Sequence, residues 1–305
     1  MSSVNERAVI CVGDIDMDLI VAVPRLPARD EKVSGHRIAL APGGMAANVA
    51  VALARLGAPA RIIGAVGEDA AGEDALTALR AEGVDVAHAV RRTGAATFMC
   101  VILVDASGEK SLVRVNSPAY LPRPSDLSEA AFGDACHVHM TFTEPKLYQS
   151  TVARARAVGV SLSLDLESAD LPATADEFDQ LLAPLNILFM SQKSRLEAER
   201  RFGRLSLHDG CTLITTRGAD GARLEGSGGV VDVPGIDTDV VDTSGAGDAF
   251  AAGFLYSSLH GADSPDALRF ANALAALSVR AYGAQAGLPR TSEVVTTLEA
   301  GIVHG

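Results

Sequence analysis

Basic residues are in short supply. Lysine and arginine total 26 against 38 aspartates and glutamates, a formal charge of -12. So acidic a chain is not built for nucleic acid or an anionic membrane, because either wants a basic surface. A local basic pocket could still hold an anionic ligand. Cysteine is equally sparse. Cys11, Cys100, Cys136 and Cys211 lie far apart, with no C-x-x-C pair, each in or beside an apolar run. That spacing excludes a zinc ribbon and reads as four buried, reduced thiols, as the cytoplasm would keep them. The first seven residues lack the basic-then-apolar layout of a secretory signal. Long uncharged runs are missing too. The longest, residues 38–54, is broken by Pro42-Gly43-Gly44 and carries Asn48, so no membrane span is expected. There is no internal repeat and no low-complexity segment.

What remains is ample material for a core. The 305 residues are 48% hydrophobic and 21% charged, enough for one large α/β domain or two smaller ones. Short apolar runs at 8–13, 61–66, 136–140, 161–165, 187–190 and 212–216 read as buried strands. Helical patterns at 45–56, 69–82, 146–158, 175–182 and 193–201 separate them, with Gly57 and Gly83 as stop signals. This alternation predicts a mainly parallel sheet with helices on both faces. Two stretches break the rhythm. Residues 19–40 and 97–115 read as paired strands, with turns at Arg29-Asp30 and Ala106-Ser107-Gly108-Glu109. They form a small projecting sheet, either a flap over the carboxyl-end crevice or a dimer-forming extension.

The most telling segment is Val241-Asp242-Thr243-Ser244-Gly245-Ala246-Gly247-Asp248-Ala249-Phe250. A turn of small residues runs into a helix at 249–259. The first amides of such a helix have no internal partner and face whatever lies ahead of it. Asp248 sits at that end, where the macrodipole favours its anionic form. Free amides beside a carboxylate suit phosphoryl transfer: the amides hold the moving group and the carboxylate takes the proton of an attacking hydroxyl.

Three further motifs precede it: Gly13-Asp14-Ile15-Asp16-Met17-Asp18, Gly43-Gly44-Met45-Ala46-Ala47-Asn48, and Thr216-Arg217-Gly218-Ala219-Asp220-Gly221. With Arg55-Leu56-Gly57 and Gly64-x-Val66-Gly67-x-Asp69, they make the chain resemble the ribokinase-like (PfkB) family of carbohydrate and nucleoside kinases from about residue 9 to 289. The resemblance implies a single three-layer α/β/α domain over residues 1–305, with a mainly parallel central sheet. A small β lid would come from about 16–40 and 96–116. It implies an ATP-dependent sugar kinase that uses Mg²⁺ to phosphorylate a hydroxymethyl group of a ribose-, fructose- or sugar-acid-like acceptor. By position, Asp248 would be the general base, with the amides of Gly245, Ala246 and Gly247 as the anion hole. Thr216, Gly218 and Gly221 would lie along the nucleotide, with Asn272 near the adenine. Asp242 and the Ser244 carbonyl, with the loop 279–287, match the place where some relatives hold a monovalent cation such as K⁺. Asp16, Asp18, Gly43, Gly44 and Asn48 would face the acceptor, since vicinal hydroxyls need acceptors and an amide that also donates. Asp14 reads instead as a loop cap. Glu144 is open between an acceptor-site carboxylate and a helix-start charge before Pro145. A homodimer through the lid would follow the family.

Three departures bear on the substrate. Met45 stands where ribokinases usually carry lysine, which puts ribose itself in question. Ser191-Gln192-Lys193-Ser194 replaces the Asn-x-x-Glu whose glutamate helps arrange magnesium; Glu197, a turn further on, is the nearby substitute. The lid stretches carry Arg29, Lys32, Arg37 and Arg114. These form a solvated face, or Lys32 and Arg114 pair with an acid, phosphate or sulfonate on the acceptor. Two rival functions stay open. A nucleoside kinase would need rings for its base, and at 4% aromatics only Phe98, Phe142 and Tyr120 offer them. A non-catalytic sugar or nucleotide sensor draws support from the missing glutamate and opposition from Asp248.

Overall fold

The chain, in a computed structural model describing residues 7–106, 110–203, 205 and 207–302, opens with β1 (Ala8–Val12), a strand buried along its whole length. There follow β2 (Asp16–Ala22), β3 (His36–Gly43), α1 (Met45–Arg55), β4 (Ala60–Ile63), β5 (Ala65–Gly67), α2 (Ala70–Ala81) and β6 (Val90–Arg92). Next come β7 (Met99–Val104), β8 (Lys110–Val115), β9 (Ala135–Met140), α3 (Pro145–Val158), β10 (Ser161–Asp165), α4 (Ala175–Leu182), β11 (Ile187–Ser191) and α5 (Gln192–Phe202). The last third is β12 (Thr212–Thr216), β13 (Ala222–Gly226), β14 (Gly229–Val233), α6 (Ala246–Leu259), α7 (Ser264–Ser278) and α8 (Thr291–Ile302).

Eight strands form one sheet in the order β14-β13-β12-β11-β10-β9-β1-β4. From β4 to β12 every pairing is parallel; β13 and β14 add an antiparallel edge. Because side chains alternate along a strand, β1 feeds two cores. Val9 and Cys11 pack with α1, α2, α6 and α7 on one face, while Ile10 and Val12 pack with α3, α4 and α5 on the other. These are the three expected layers. Truncating a fully buried side chain such as Leu53 to alanine would cost about 2–5 kcal/mol.

A separate sheet in the order β3-β2-β7-β8 forms the lid. The pairs β2/β3 and β7/β8 are antiparallel, and β2 joins β7 in parallel. The turn expected at Arg29-Asp30 contains a left-handed Asp30, at φ 59°. Of the turn expected at 106–109, Ser107, Gly108 and Glu109 lie outside the described residues. The lid's root is fastened by side chains. Asp69 caps α2 through the Gly72 N–H (2.9 Å) and also accepts from the Thr97 backbone (2.8 Å) and hydroxyl (2.5 Å). The Gly67 N–H donates to that hydroxyl at 3.0 Å. So the Gly67-x-Asp69 motif fixes where β7 begins.

One expected strand is two. The run at 61–66 divides at Gly64, where a Cβ would lie 2.7 Å from Ile15 Cδ1, and β5 leaves the large sheet to pair with β6. No helix among the described residues is long and apolar enough to cross a membrane.

Candidate active site

A cleft of about 400 Å³ lies between the carboxyl ends of the large sheet's strands and the lid. Asp14 follows β1, Asp165 ends β10, Ser191 ends β11 and Thr216 ends β12; all four line it. Lid residues Asp16, Asp18, Cys100, Lys110 and Arg114 close the other side.

Asp248 lies in the first turn of α6 and is buried at 6% exposure. The helix begins at Gly245, left-handed at φ 72°, where a Cβ would stand 2.7 Å from that of Ala284; no other residue fits that corner easily. The Ala246 N–H turns back to the Thr243 carbonyl at 3.3 Å, and the Ala249 N–H makes the first helical bond, to Gly245, at 2.8 Å. The N–H groups of Gly247 and Asp248 lie between, at the helix mouth, with no acceptor inside the helix. Gly245, Ala246, Gly247 and Asp248 all line the cleft. Burial pushes the Asp248 carboxyl well above the usual carboxylate range. The Asn48 amide opposes this, while Asp165, Asp14 and Glu167 add to it. Burial thus acts against the helix end, whose macrodipole favours the anion.

A chain of hydrogen bonds holds Asp248. Asn48, in the first turn of α1, donates to Asp248 Oδ2 at 2.8 Å. Gln285 Nε2 donates to Asn48 Oδ1 at 3.0 Å, which fixes the Asn48 amide's orientation. The Gln285 loop is gripped by Arg55, which reaches the carbonyls of Gln285 (2.8 Å) and Leu288 (2.6 Å) and pairs with Glu82. Gln285 carries no motif and was not legible in the sequence.

Asp16 and Asp18 sit two apart on β2 and so share a face. Gly43 is paired with Asp16, and a Cβ on it would lie 2.4 Å from Asp16 Oδ1 and 2.5 Å from Asp18 Oδ2. Gly43 thus makes room for both carboxyls without lining the cleft. Burial and the neighbouring aspartates push Asp16 well above its ordinary range and Asp18 up to about 6. Asp16 Oδ1 is buried with no hydrogen-bond partner among the described residues. Its other oxygen accepts the Cys100 thiol at 3.7 Å. Burial and the two aspartates push that thiol up to about 12, so it acts as a donor, and the three-residue cluster does not offer a thiolate to a metal. Asp14 accepts the N–H groups of Met45 (3.1 Å) and Ala46 (3.3 Å) and the Thr141 hydroxyl (3.2 Å). It caps α1 from a distance. Gly44, the residue before that helix, has φ 98° and lines the cleft.

Other expected positions fall elsewhere. Glu144 caps α3 through the Leu147 N–H at 2.7 Å and does not line the cleft. Lys32 is exposed on the β2–β3 connection and does not reach it. Arg114 does, held 4.6 Å from the Tyr120 ring centre and 5.5 Å from that of Phe98. Of the nucleotide set only Thr216 lines the cleft. Gly221 abuts the next segment, since a Cβ there would meet the Val233 carbonyl at 2.1 Å, and Gly218 opens the same turn at φ 59°. Asn272, buried in α7, donates to the Pro234 carbonyl at 2.9 Å, so it anchors this segment.

Glu197 points away, in a separate depression with Arg200, its ion-pair partner at 2.7 Å. Asp165 and Glu167 are two carboxylates that line the cleft and act on Asp248. Burial, reinforced by Glu167, pushes Asp165 up to about 7, and burial with Asp170 raises Glu167. These are hard oxygen donors whose charge is poorly compensated, and they fit Mg²⁺.

The cation loop is different. Asp242 Oδ1 accepts the Lys110 ammonium (2.8 Å), the Ser244 N–H (2.9 Å) and the Ser244 hydroxyl (2.8 Å), while Oδ2 accepts the Gly283 N–H at 2.9 Å. Burial raises this carboxyl, but those partners outweigh it and hold it below the usual range. Asp242 therefore already holds a cation, the Lys110 ammonium, at the place where the resemblance puts a monovalent ion.

Comparison with known proteins identifies one family. A model described as pfkB family carbohydrate kinase matches residues 6–291. An ATP-dependent ribose-1-phosphate kinase of Halopiger xanaduensis is 33% identical over 91% of this chain and 93% of its own. A Bacillus subtilis ribokinase is 32% identical over 94% and 98%. Among solved structures, Arabidopsis thaliana ribokinase complexed with ribose and ATP is 26% identical, with a TM-score of 0.81 over 96% and 99% of the two chains.

Proposed function

This chain belongs to the pfkB family of carbohydrate kinases, phosphotransferases with an alcohol acceptor, and we propose that it transfers the γ-phosphoryl of ATP to the hydroxymethyl group of a small anionic sugar, foremost a pentose 1-phosphate. The observation that carries this reading is Asp248 buried at the mouth of α6, beside open amides and bonded to Asn48, in a cleft that the lid completes. Residues 1–305 act as one domain, because neither sheet alone makes the site.

The acceptor's ring hydroxyls donate to Asp16, whose Oδ1 has no partner among the described residues, and to Asp18, while Asn48 orients the group to be phosphorylated. ATP runs from Thr216 along the turn of Gly218 and Gly221. Asp248 takes the hydroxyl proton during in-line attack, and the open amides at the mouth of α6, that of Gly247 foremost, neutralise the growing charge, while the Ala246 amide stays on the Thr243 carbonyl. Mg²⁺, held by Asp165 and Glu167, would supply charge neutralisation between the phosphates. The lid excludes water, which would otherwise take the phosphoryl group.

Arg114 favours an anionic acceptor, since its guanidinium enters the cleft already oriented by two rings. It also weighs against a nucleoside: Phe98 and Phe142 are 2% and 3% exposed, and Arg114 already lies over the Phe98 and Tyr120 rings. The sensor reading would leave a buried Asp248 with nothing to do. Leu40, Val113 and Val115 are apolar and exposed on the lid's edge strands, and a second copy docking there would cover them. Four free cysteines and the need for ATP suit the cytoplasm.

The test is acceptor-dependent ADP release against pentoses, hexoses, sugar acids, phosphosugars, sulfosugars and nucleosides. A phosphosugar should give the highest kcat/KM. A nucleoside at the top would overturn the substrate assignment, and ligand binding without ADP release would overturn the kinase.

A further inference from the structure

Lys110 begins β8, on the lid, yet its ammonium reaches the main body. It lies 2.8 Å from Asp242 Oδ1, 3.0 Å from Thr243 Oγ1 and 3.1 Å from Ser244 Oγ. Three oxygens for three N–H donors satisfy the group completely. These residues immediately precede Gly245, so the charge sits at the entrance to the anion hole, and Lys110, Thr243 and Ser244 all line the cleft. The other donors to Asp242 are the Ser244 N–H and hydroxyl and the Gly283 N–H, so the ammonium is the one cation among the groups bonded to this carboxylate in the described residues.

We infer that the Lys110 side chain is a tethered monovalent cation that stands in for K⁺ beside the anion hole and is delivered by the lid. An ammonium group and K⁺ are similar in size and bind oxygen at similar distances. Without a positive charge there, the buried Asp242 carboxylate would face the incoming phosphates and oppose them. Because the lysine rides on the lid and its partners belong to the body, lid closure and neutralisation of the loop are one event. This rests on the kinase reading above.

The experiment compares wild type with Lys110→Ala, in buffers whose monovalent cation is tetramethylammonium, K⁺ or NH₄⁺. Wild-type turnover should be the same in all three. The variant should lose about a hundredfold in tetramethylammonium, the scale of one lost anion-hole contact. K⁺ or NH₄⁺ should restore about tenfold or more of it, mainly in kcat. Thermal unfolding gives a second reading without substrate: K⁺ should raise the melting temperature of Lys110→Ala relative to tetramethylammonium and leave wild type unmoved. Stimulation of wild type by K⁺, or a variant that neither recovers activity nor gains stability with K⁺ or NH₄⁺, overturns the inference. If wild type releases no ADP with any acceptor, the kinase reading fails, and the unfolding comparison still decides the role of the lysine.

Discussion

Replacing Asp248 with asparagine separates chemistry from architecture. The substitution is isosteric, and an asparagine oxygen can still accept the Asn48 amide that now donates to Asp248 at 2.8 Å. What disappears is the proton acceptor. Loss of a general base removes about 10² to 10⁴ of rate, which corresponds to about 3 to 5 kcal/mol of barrier. Stability should move the other way. The carboxyl is buried and repelled by Asp165, Asp14 and Glu167, and no cation pairs with it among the described residues. Removing it relieves that repulsion, so the variant should melt at or above the wild-type temperature. The pH profile supplies a third reading. A base acts only when deprotonated, and burial raises this one, so wild-type kcat should fall with acidification well above the range of an ordinary carboxylate. The asparagine variant should lack that limb. The assays are single-turnover ADP formation, calorimetric ATP binding and thermal unfolding. A folded, ATP-binding Asp248→Asn within tenfold of wild-type turnover would refute the assignment.

Arg114→Met should raise KM for a phosphorylated acceptor by about 10- to 100-fold, the worth of a charge-assisted pair, while KM for ATP stays put; an equal effect on a neutral pentose would show that Arg114 does not meet the anion. Val113→Asp, which charges an exposed lid-edge residue, should shift the sedimentation coefficient from dimer to monomer, and a monomeric wild type would refute lid pairing. His137 and His139 are both pushed down to about 3 by burial. Folded, they stay neutral where an unfolded histidine, near 6.5, takes a proton. Each therefore contributes stability that is lost as pH falls from about 6.5 toward 3, at about 1.4 kcal/mol per pH unit. Asp18 and Asp165, raised to about 6 and 7, act with the opposite sign over part of that window. Hence a difference is the right measurement: between pH 6.5 and 5, His139→Phe should lose about 2 kcal/mol less than wild type in urea titrations, and parallel losses would contradict the buried, neutral state.

The large sheet was legible because its strands are short apolar runs separated by helices that carry caps and stops. Asp69 and Gly57 announce theirs, and the predicted bounds miss by a residue or so. What lacked a period was harder to see. α6 is apolar on nearly all sides and packs against α7 as well as the sheet, so no amphipathic stripe marks its limits. The β13–β14 hairpin is an edge ribbon with a half-exposed face, and its glycine turn carried no sign of the sheet it joins. In the site, residues inside motifs were readable: Asp248, Asn48, Asp16, Asp18 and Gly44 converge on one cleft. Residues brought in from far along the chain were not. Gln285 reaches Asn48 across 237 positions and Lys110 reaches Asp242 across 132, and only the packing of lid on body creates those pairs. Glu144 takes the helix-start role that the sequence left open beside the acceptor site, and Glu197 already has a local partner in Arg200.

An acidic protein that handles phosphates has to deal with its own charge. Asp14, Asp16, Asp18, Asp165, Glu167 and Asp248 all line one cleft. Were all six ionised, they would repel ATP and any anionic acceptor strongly, because like charges a few ångströms apart in a half-dry site interact by several kcal/mol, on the order of 4 at an effective dielectric of 20. Burial prevents this by raising every one of them. A carboxyl near its midpoint gives up its proton cheaply when a cation arrives and accepts one readily from an attacking hydroxyl. The same desolvation that lowers repulsion before binding therefore also raises the proton affinity of Asp248, the proposed base. The fixed positive charges that line the cleft, Lys110 at the loop and Arg114 on the lid, then act at two separate points, and neither has to neutralise the whole cleft.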